Sequence, residues 1–261
     1  MMIQNKQYVK HHKVGDIDIV TVDRPPVNAL SEIIDQELKQ TFVELCEQNL
    51  YGVIILTGAG NTFMAGADIT RFPSLDSDGG ASLARIAKEG LDYIENSSKV
   101  VIAAINGVAL GGGCEWALAC DIRVIDESTI IGLPEVSIGV LPGVGGTQRL
   151  ARQVAVGKAK ELIFTGDPVK ANEAYRIGLV ERVAAKGEAV SESIKLAERI
   201  LKRGPIAVAK SKESINNSVS MTADEGFKAE TRLFGELFDT ADQKEGAAAF
   251  FEKRKPVFKG V

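Results

Sequence analysis

Two short runs constrain this chain more than anything else in it. Gly52–Gly58 (GVIILTG) and Val100–Ile105 (VVIAAI) are unbroken apolar segments of strand length, rich in β-branched residues. A strand with water on one face alternates polar and apolar side chains. These two do not alternate, so both of their faces must be covered. The cover is supplied by amphipathic stretches. From Ser31, read as an N-cap, Ile34, Leu38, Phe42 and Leu45 recur at helical spacing. After the polar loop Ser74–Gly80 (SLDSDGG), so do Leu83, Ile86, Leu91 and Ile94. Ile17–Val22, Ile122–Asp126 and Thr129–Pro134 read as further strands, the first of them ended by Pro25 and Pro26, which cannot continue a ladder. Strand–helix alternation of this kind predicts α/β architecture with helices on the sheet faces.

The pattern changes near Ile200. Beyond it no strand signal is left, Arg203–Pro205 (RGP) interrupts, and the remainder reads as helices rich in Ala, Glu, Lys and Phe. The expected division is therefore residues 1–200 and residues 201–261. With 261 residues the chain suits one large domain with a smaller appendage and can bury a sizeable core.

Charge and cysteine usage narrow the function classes. A net charge of −4 gives no general attraction for nucleic acid or acidic lipid. Cys46, Cys114 and Cys120 lie among apolar residues without metal-ligand spacing and read as buried free thiols in a reducing compartment. The polar segment Met1–Asp16 does not read as a secretory signal. No run reaches the roughly 18 apolar residues of a membrane span. The expected location is the cytoplasm. His11 and His12, the only histidines, are expected at the surface.

Glycine-rich turns after buried strands raise the question of a nucleotide site. Thr57–Phe63 (TGAGNTF) begins as a dinucleotide fingerprint, but its sixth position is Phe63 and no helical pattern opens there. Gly143–Gln148 (GVGGTQ) lacks the Lys-Ser/Thr of a phosphate loop. Both fail.

A different reading fits Asn106–Asp121 (NGVALGGGCEWALACD), where Gly111, Gly112 and Gly113 run into Glu115. A helix beginning near Gly112 has first-turn N–H groups without partners and a positive dipole end. Glycines let a ligand oxygen come close to them. A second donor is available from Phe63–Ile69 (FMAGADI), and two amides converging on a carbonyl oxygen would stabilise an enolate. Glu115 lies within one turn, and Glu135, in Leu133–Leu150 (LPEVSIGVLPGVGGTQRL), is a second lone carboxylate among apolar residues and glycines. Burial and mutual repulsion would raise one pKa so that a proton is shared. The plainer alternative is that Glu115 satisfies a helix dipole and the glycines serve tight packing. The residues by themselves leave both open and name no substrate.

These segments resemble the crotonase superfamily, and within it the enoyl-CoA hydratases. The matches stand in family order over nearly the whole chain: Asp23–Leu30 (DRPPVNAL), Gly52–Ile69 (GVIILTGAGNTFMAGADI), Val101–Val124 (VIAAINGVALGGGCEWALACDIRV), Leu133–Leu150, Gly178–Val183 (GLVERV) and Phe250–Gly260 (FFEKRKPVFKG). The resemblance implies an α/β fold built as a spiral of ββα turns with a C-terminal helical region for oligomerisation, as a homotrimer or a hexamer made of two trimers. The implied substrate is an acyl thioester of coenzyme A, with no further cofactor, no metal and no nucleic-acid partner. By match to the family motifs, the N–H groups of Ala67 and Gly112 form the oxyanion hole, while Ala65, Asp68, Ile69 and Thr70 lie along CoA. Phe258 and the run Lys253–Lys255 are implied near CoA in the same or a neighbouring subunit.

Members of the superfamily share the oxyanion hole and differ in chemistry, so the reaction has to come from the site. Glutamates at both positions, Glu115 and Glu135, favour hydration of a 2-trans-enoyl-CoA, with Glu115 activating water and Glu135 delivering a proton to Cα. Gly143 would leave room beside the water. The alternatives are Δ3-Δ2 enoyl-CoA isomerisation or another crotonase reaction, and, outside enzymes, a protein that binds acyl-CoA or RNA. Arg71 stands near a position where many relatives have lysine and is open to a phosphate or ribose contact. Trp116 is bulkier than the common leucine; core packing and a narrowed acyl pocket both account for it. Asp23 and Arg24 fit the lining of the CoA pocket and a turn role beside Pro25 and Pro26 equally well, Asp121 reads as a helix-to-strand turn residue, and Gln148 and Arg149 read as capping or pairing at a helix start.

Overall fold

The computed structural model describes residues 6–261. Met1–Asn5, the beginning of the segment read as no secretory signal, lie outside the described residues. The buried runs become the middle of a six-stranded sheet. Its strands are β1 (Val9–Val14), β2 (Ile17–Val22), β3 (Val53–Gly58), β5 (Val100–Ile105), β7 (Ile122–Asp126) and β10 (Arg182–Ala184), side by side in that order. All neighbours are parallel except the β1–β2 hairpin. Successive side chains point to opposite faces, and each face has its own core. Ile54, Leu56, Val101, Ala103 and Ile105 face α1 (Glu32–Gln48) and α2 (Ser77–Asn96). Val53, Ile55, Val100, Ile102 and Ala104 face Leu196 and Ala197 of α7 (Ala189–Leu201). Each fully buried Val, Leu or Ile among them contributes about 1.5–3 kcal/mol of transfer free energy.

A second, smaller sheet runs alongside. Its strands are β4 (Thr62–Met64), β6 (Val108–Leu110), β8 (Ile130–Gly132) and the two-residue β9 (Val169–Lys170). The chain alternates between the sheets. β3 leads to β4 and then α2, β5 leads to β6 and then α3 (Gly112–Ala119), and β7 leads to β8. This is the expected spiral of ββα turns, each turn stacked on the last. The stacking is close enough to demand glycine. A Cβ on Gly107 would lie 2.0 Å from the Asn61 carbonyl oxygen of the preceding turn. Asn106 stitches the same two turns, its Nδ2 donating to the Gly58 and Gly60 carbonyls at 2.7 and 3.0 Å.

After β8 the chain forms α4 (Gly146–Gln153), α5 (Val156–Thr165) and α6 (Ala171–Arg176). Past α7 come three helices, α8 (Pro205–Ser220), α9 (Ala223–Leu237) and α10 (Ala241–Phe251), and then a non-helical tail. The polar segment before Asp16 contains β1, an edge strand whose outward residues are polar, and two expectations need correction. His11 on it is half-buried rather than exposed, its Nε2 lying 2.9 Å from Asp18 Oδ1; His12 is exposed. The loop Ser74–Gly80 is helical in its second half, because the Asp76 carboxylate accepts from the Gly79 N–H and starts α2 there. Ser31 does sit at the N-cap of α1, although its hydroxyl makes no cap bond.

Candidate active site

The small parallel sheet sets the site by register. Met64 of β4 pairs with Ala109 of β6, and Ala109 pairs with Ile131 of β8. Counting on from these partners brings Ala67, Gly112 and, one residue further along, Glu135 to the same carboxyl-terminal end. Open α/β sheets place their ligand sites at that end. Side-chain geometry agrees with the count. A Cβ on Gly112 would lie 3.9 Å from the Ala67 nitrogen, and a Cβ on Gly111 would lie 3.6 Å from Gly66 Cα and 3.2 Å from Glu135 Oε1. Leu30 bridges to the Ala67 loop, donating to the Gly66 carbonyl at 2.8 Å and accepting from Asp68 N–H at 2.7 Å. The Ala67 N–H between them makes no hydrogen bond among the described residues, and neither does the Gly112 N–H at the start of α3.

The three glycines have three separate jobs. Gly111 has φ of 53°, which a side chain would strain. Gly112 presents the helix amide beside the Ala67 amide. Gly113 faces Met64 so closely that a Cβ would fall 2.0 Å from the Met64 carbonyl oxygen.

Glu115, one turn into α3, is buried, with 2 % exposure. Its Oε1 accepts two main-chain amides, Val144 and Gly146, at 2.8 Å each. Burial raises its pKa above the usual value, while those amides and the Arg149 guanidinium pull the other way. Glu135 heads a short 3-10 turn, Glu135–Ile138, and its Oε2 is buried without any hydrogen-bond partner. Burial, with Glu115 repulsion added, pushes it up to about 7. Burial raises both carboxyls, and the two amides on Glu115 favour its ionised form.

The remaining expected positions fall around this centre. Ala65 is half-buried, its N–H donating to the Val27 carbonyl at 3.2 Å. Asp68 caps the 3-10 turn Ile69–Ser74 through Thr70 and is gripped by Arg24 at 2.8 Å, which with the Thr70 bonds holds it down to about 2. Ile69 and Thr70 are exposed, and Arg71 is largely free, 3.7 Å from Glu32. Gly143 is exposed; a Cβ there would make only ordinary contacts, 3.8 Å from Ala84 Cβ. Packing therefore does not require a glycine at that position.

Other candidates lie outside this centre within the single chain. Phe258 packs over Gly204 and Gly246, and Arg254 forks onto Glu245, on the C-terminal helices. Trp116 is a core residue, stacked on Phe42 with ring centroids 6.2 Å apart. Asp121 accepts from the Val101 N–H and pairs with Lys212, as a turn residue should. The sequence reading missed Asp35, a buried carboxylate that accepts from Trp116 Nε1 at 3.3 Å and is pushed up to about 7 by burial. Its signal was present: Asp35 shares the helical stripe of Leu38 and Phe42. The amides of Val144 and Gly146 carry no side-chain signal at all.

Stacked ββα turns followed by a helical C-terminal region define a crotonase-fold protein. A family model described as enoyl-CoA hydratase/isomerase matches residues 13–261. The chain is 42 % identical over 245 residues to a short-chain-enoyl-CoA hydratase of Clostridium acetobutylicum, covering 93 % of this chain and 94 % of that one. It is 41 % identical to a crotonyl-CoA hydratase of Syntrophomonas wolfei, covering 94 % of this chain and 95 % of the other. The crystal structure of an enoyl-CoA hydratase from Bacillus anthracis superposes with a TM-score of 0.93 at 38 % identity, covering 98 % of this chain and all of that one. The chain belongs to the enoyl-CoA hydratase/isomerase family.

Proposed function

We propose that the protein adds water across the double bond of 2-trans-enoyl-CoA thioesters, giving 3-hydroxyacyl-CoA. The observation that carries this reading is the register of β4, β6 and β8, which sets two unpaired amides beside two buried carboxylates, one gripped by two main-chain amides and the other with a bare buried oxygen. The thioester oxygen accepts from Ala67 and Gly112, which polarises the conjugated double bond toward it. Ionised Glu115 takes a proton from water as its oxygen attacks Cβ. The electron pair moves onto the thioester oxygen, where the two amides stabilise the enolate, one such donor being worth about 3 kcal/mol. Protonated Glu135 then delivers its proton to Cα. One proton has passed from water to Glu115 and one from Glu135 to product, so the resting state returns when a proton moves back between the two acids.

Several attributes follow as parts of the same proposal. Ala65, Asp68, Ile69 and Thr70 line CoA, Arg71 offers its guanidinium to a CoA phosphate, and the missing side chain of Gly143 leaves space for water. The chemistry is redox-neutral acid–base work and needs no resident cofactor. Residues 1–200 carry the site, and residues 201–261 form the contacts of a trimer or hexamer; Phe234, Phe250 and Phe251 project from that region into solvent in the single chain. The three buried free thiols suit the reducing cytoplasm, and acyl-CoA degradation is the metabolic setting.

The test is loss of the conjugated-thioester absorbance of crotonyl-CoA on addition of the purified protein. Glu115→Gln and Glu135→Gln should each lower kcat about 10²–10⁴-fold with KM little changed. No turnover across a panel of 2-enoyl chain lengths would overturn the reading. A fully active Glu135→Gln variant would point instead to one-carboxylate, isomerase-type chemistry.

A further inference from the structure

The turn that holds Glu115 is itself held by a buried cation. Val144 and Gly146 supply the two amides to Glu115 Oε1, and Gly145 between them has φ of 110°. The carbonyl of Val144 accepts from Arg149 Nη1 at 3.0 Å. Arg149 lies on α4, is 8 % exposed, and uses its other donors on α2. Its Nε and Nη2 reach Glu95 at 3.1 and 2.6 Å, and Nη2 reaches Asp92 at 3.1 Å. Gly145 makes way for this fork, since a Cβ there would lie 2.2 Å from Arg149 Nη1.

We infer that Arg149 is a positioning residue for hydration: anchored by Glu95 and Asp92, it fixes the Val144–Gly146 turn so that two amides orient the Glu115 carboxylate toward the attacking water. The inference rests on Glu115 being the base. A lysine could carry the charge but could not bond α2 and the Val144 carbonyl together, because the arrangement needs a planar fork. The guanidinium also acts through its charge. The titratable groups facing Glu115 are Arg149 from α4, Glu135 from the 3-10 turn, Asp35 from α1 and the Cys114 thiol beside it on α3. Arg149 is the cation among them and favours the ionised base.

Three variants separate geometry from charge, measured as kcat, KM and the pH profile of kcat/KM with crotonyl-CoA. Arg149→Lys should lose up to about 100-fold in kcat, the scale of a 1 Å misplacement, with KM and the acid limb unmoved. Arg149→Gln should lose rate similarly and move the acid limb to higher pH. Glu95→Gln, which loosens the fork and leaves the guanidinium in place, should show a smaller loss of kcat. Folded Arg149 variants with wild-type kcat and an unmoved acid limb, altered only in Tm, would make the cluster a plain α2–α4 tie and overturn the inference. If both Arg149 variants fail to fold, wild-type kcat in Glu95→Gln overturns it. Glu115→Gln in the same assay tells the two ideas apart. An active Glu115→Gln removes the base assignment, whereas an inactive one beside unimpaired Arg149 variants removes only the clamp.

Discussion

Glu115 and Glu135 repel each other across one site, and Glu115 has two amides of another segment to hold its charge where Glu135 has only its own main-chain N–H. Its Oε1 accepts from Val144 and Gly146 at 2.8 Å, while Glu135 Oε2 is buried without a partner. As pH rises, the first proton leaves the pair from the side that is hydrogen-bonded, and the second must leave against both burial and a neighbouring charge.

The pH profile of kcat/KM should therefore be a bell. Activity falls on the acid side as Glu115 takes up a proton, above the usual 4.5 because burial raises it. On the alkaline side it falls as Glu135 loses its proton at about 7. Measured on the residual rate, Glu135→Gln should keep the acid limb and lose the alkaline one. An alkaline limb that survives in this variant would assign it to another group.

Asp35 makes a stability prediction with a definite sign. Its pKa is raised on folding from 3.8 to about 7 by burial, opposed by the Trp116 bond. The stability linked to its proton is fully present below the unfolded value and is lost as pH rises to the folded value. Asp35→Asn keeps an oxygen for Trp116 Nε1 and removes the titration. The Tm difference between variant and wild type should grow in favour of the variant between about pH 4 and about pH 7, and stay level above that. A difference independent of pH would show that Asp35 does not titrate in this range.

Gly90 and Trp116 should be energetically coupled. A Cβ on Gly90, inside α2, would lie 2.8 Å from Trp116 Cη2. Gly90→Ala should therefore destabilise the wild-type protein. In a Trp116→Leu background the obstacle is gone, and alanine's better helix propensity should make the same change stabilising by up to about 1 kcal/mol. Chemical denaturation of the four proteins in this cycle checks the reversal, and equal effects in both backgrounds would deny the contact.

The neighbouring glycines should fail in different ways. Gly113→Ala puts a Cβ on the Met64 backbone carbonyl, which cannot move without unstacking β4 from α3, so no folded protein is expected. Gly112→Ala meets only the end of the Leu30 side chain, at 2.9 Å. It should fold, shift the Gly112 amide proposed to hold the thioester oxygen, and lower kcat by up to about 100-fold. Circular dichroism separates the first outcome, and steady-state kinetics measures the second.

The spans of β2, β5 and β7 and the start of α3 were all legible in the chain, because burial on both faces and helix periodicity are written in local side-chain chemistry. The two glutamates were legible as lone carboxylates in apolar surroundings. The short strands β4, β6 and β9 were not. A segment of two or three residues holds too few side chains for any period to register, and its pairing depends on strands far off in the sequence.

The sequence alone determined which segments must be buried, and that a carboxylate and a run of glycines would share a helix start. The three-dimensional fold decided which amides meet, which acid is gripped by two of them and which keeps a bare buried oxygen. Those facts come from the parallel register of β4, β6 and β8 and from main-chain N–H groups at Val144 and Gly146. Every residue but proline carries the same main-chain donor, so its partner is fixed by where the fold puts it and by nothing in the side chain.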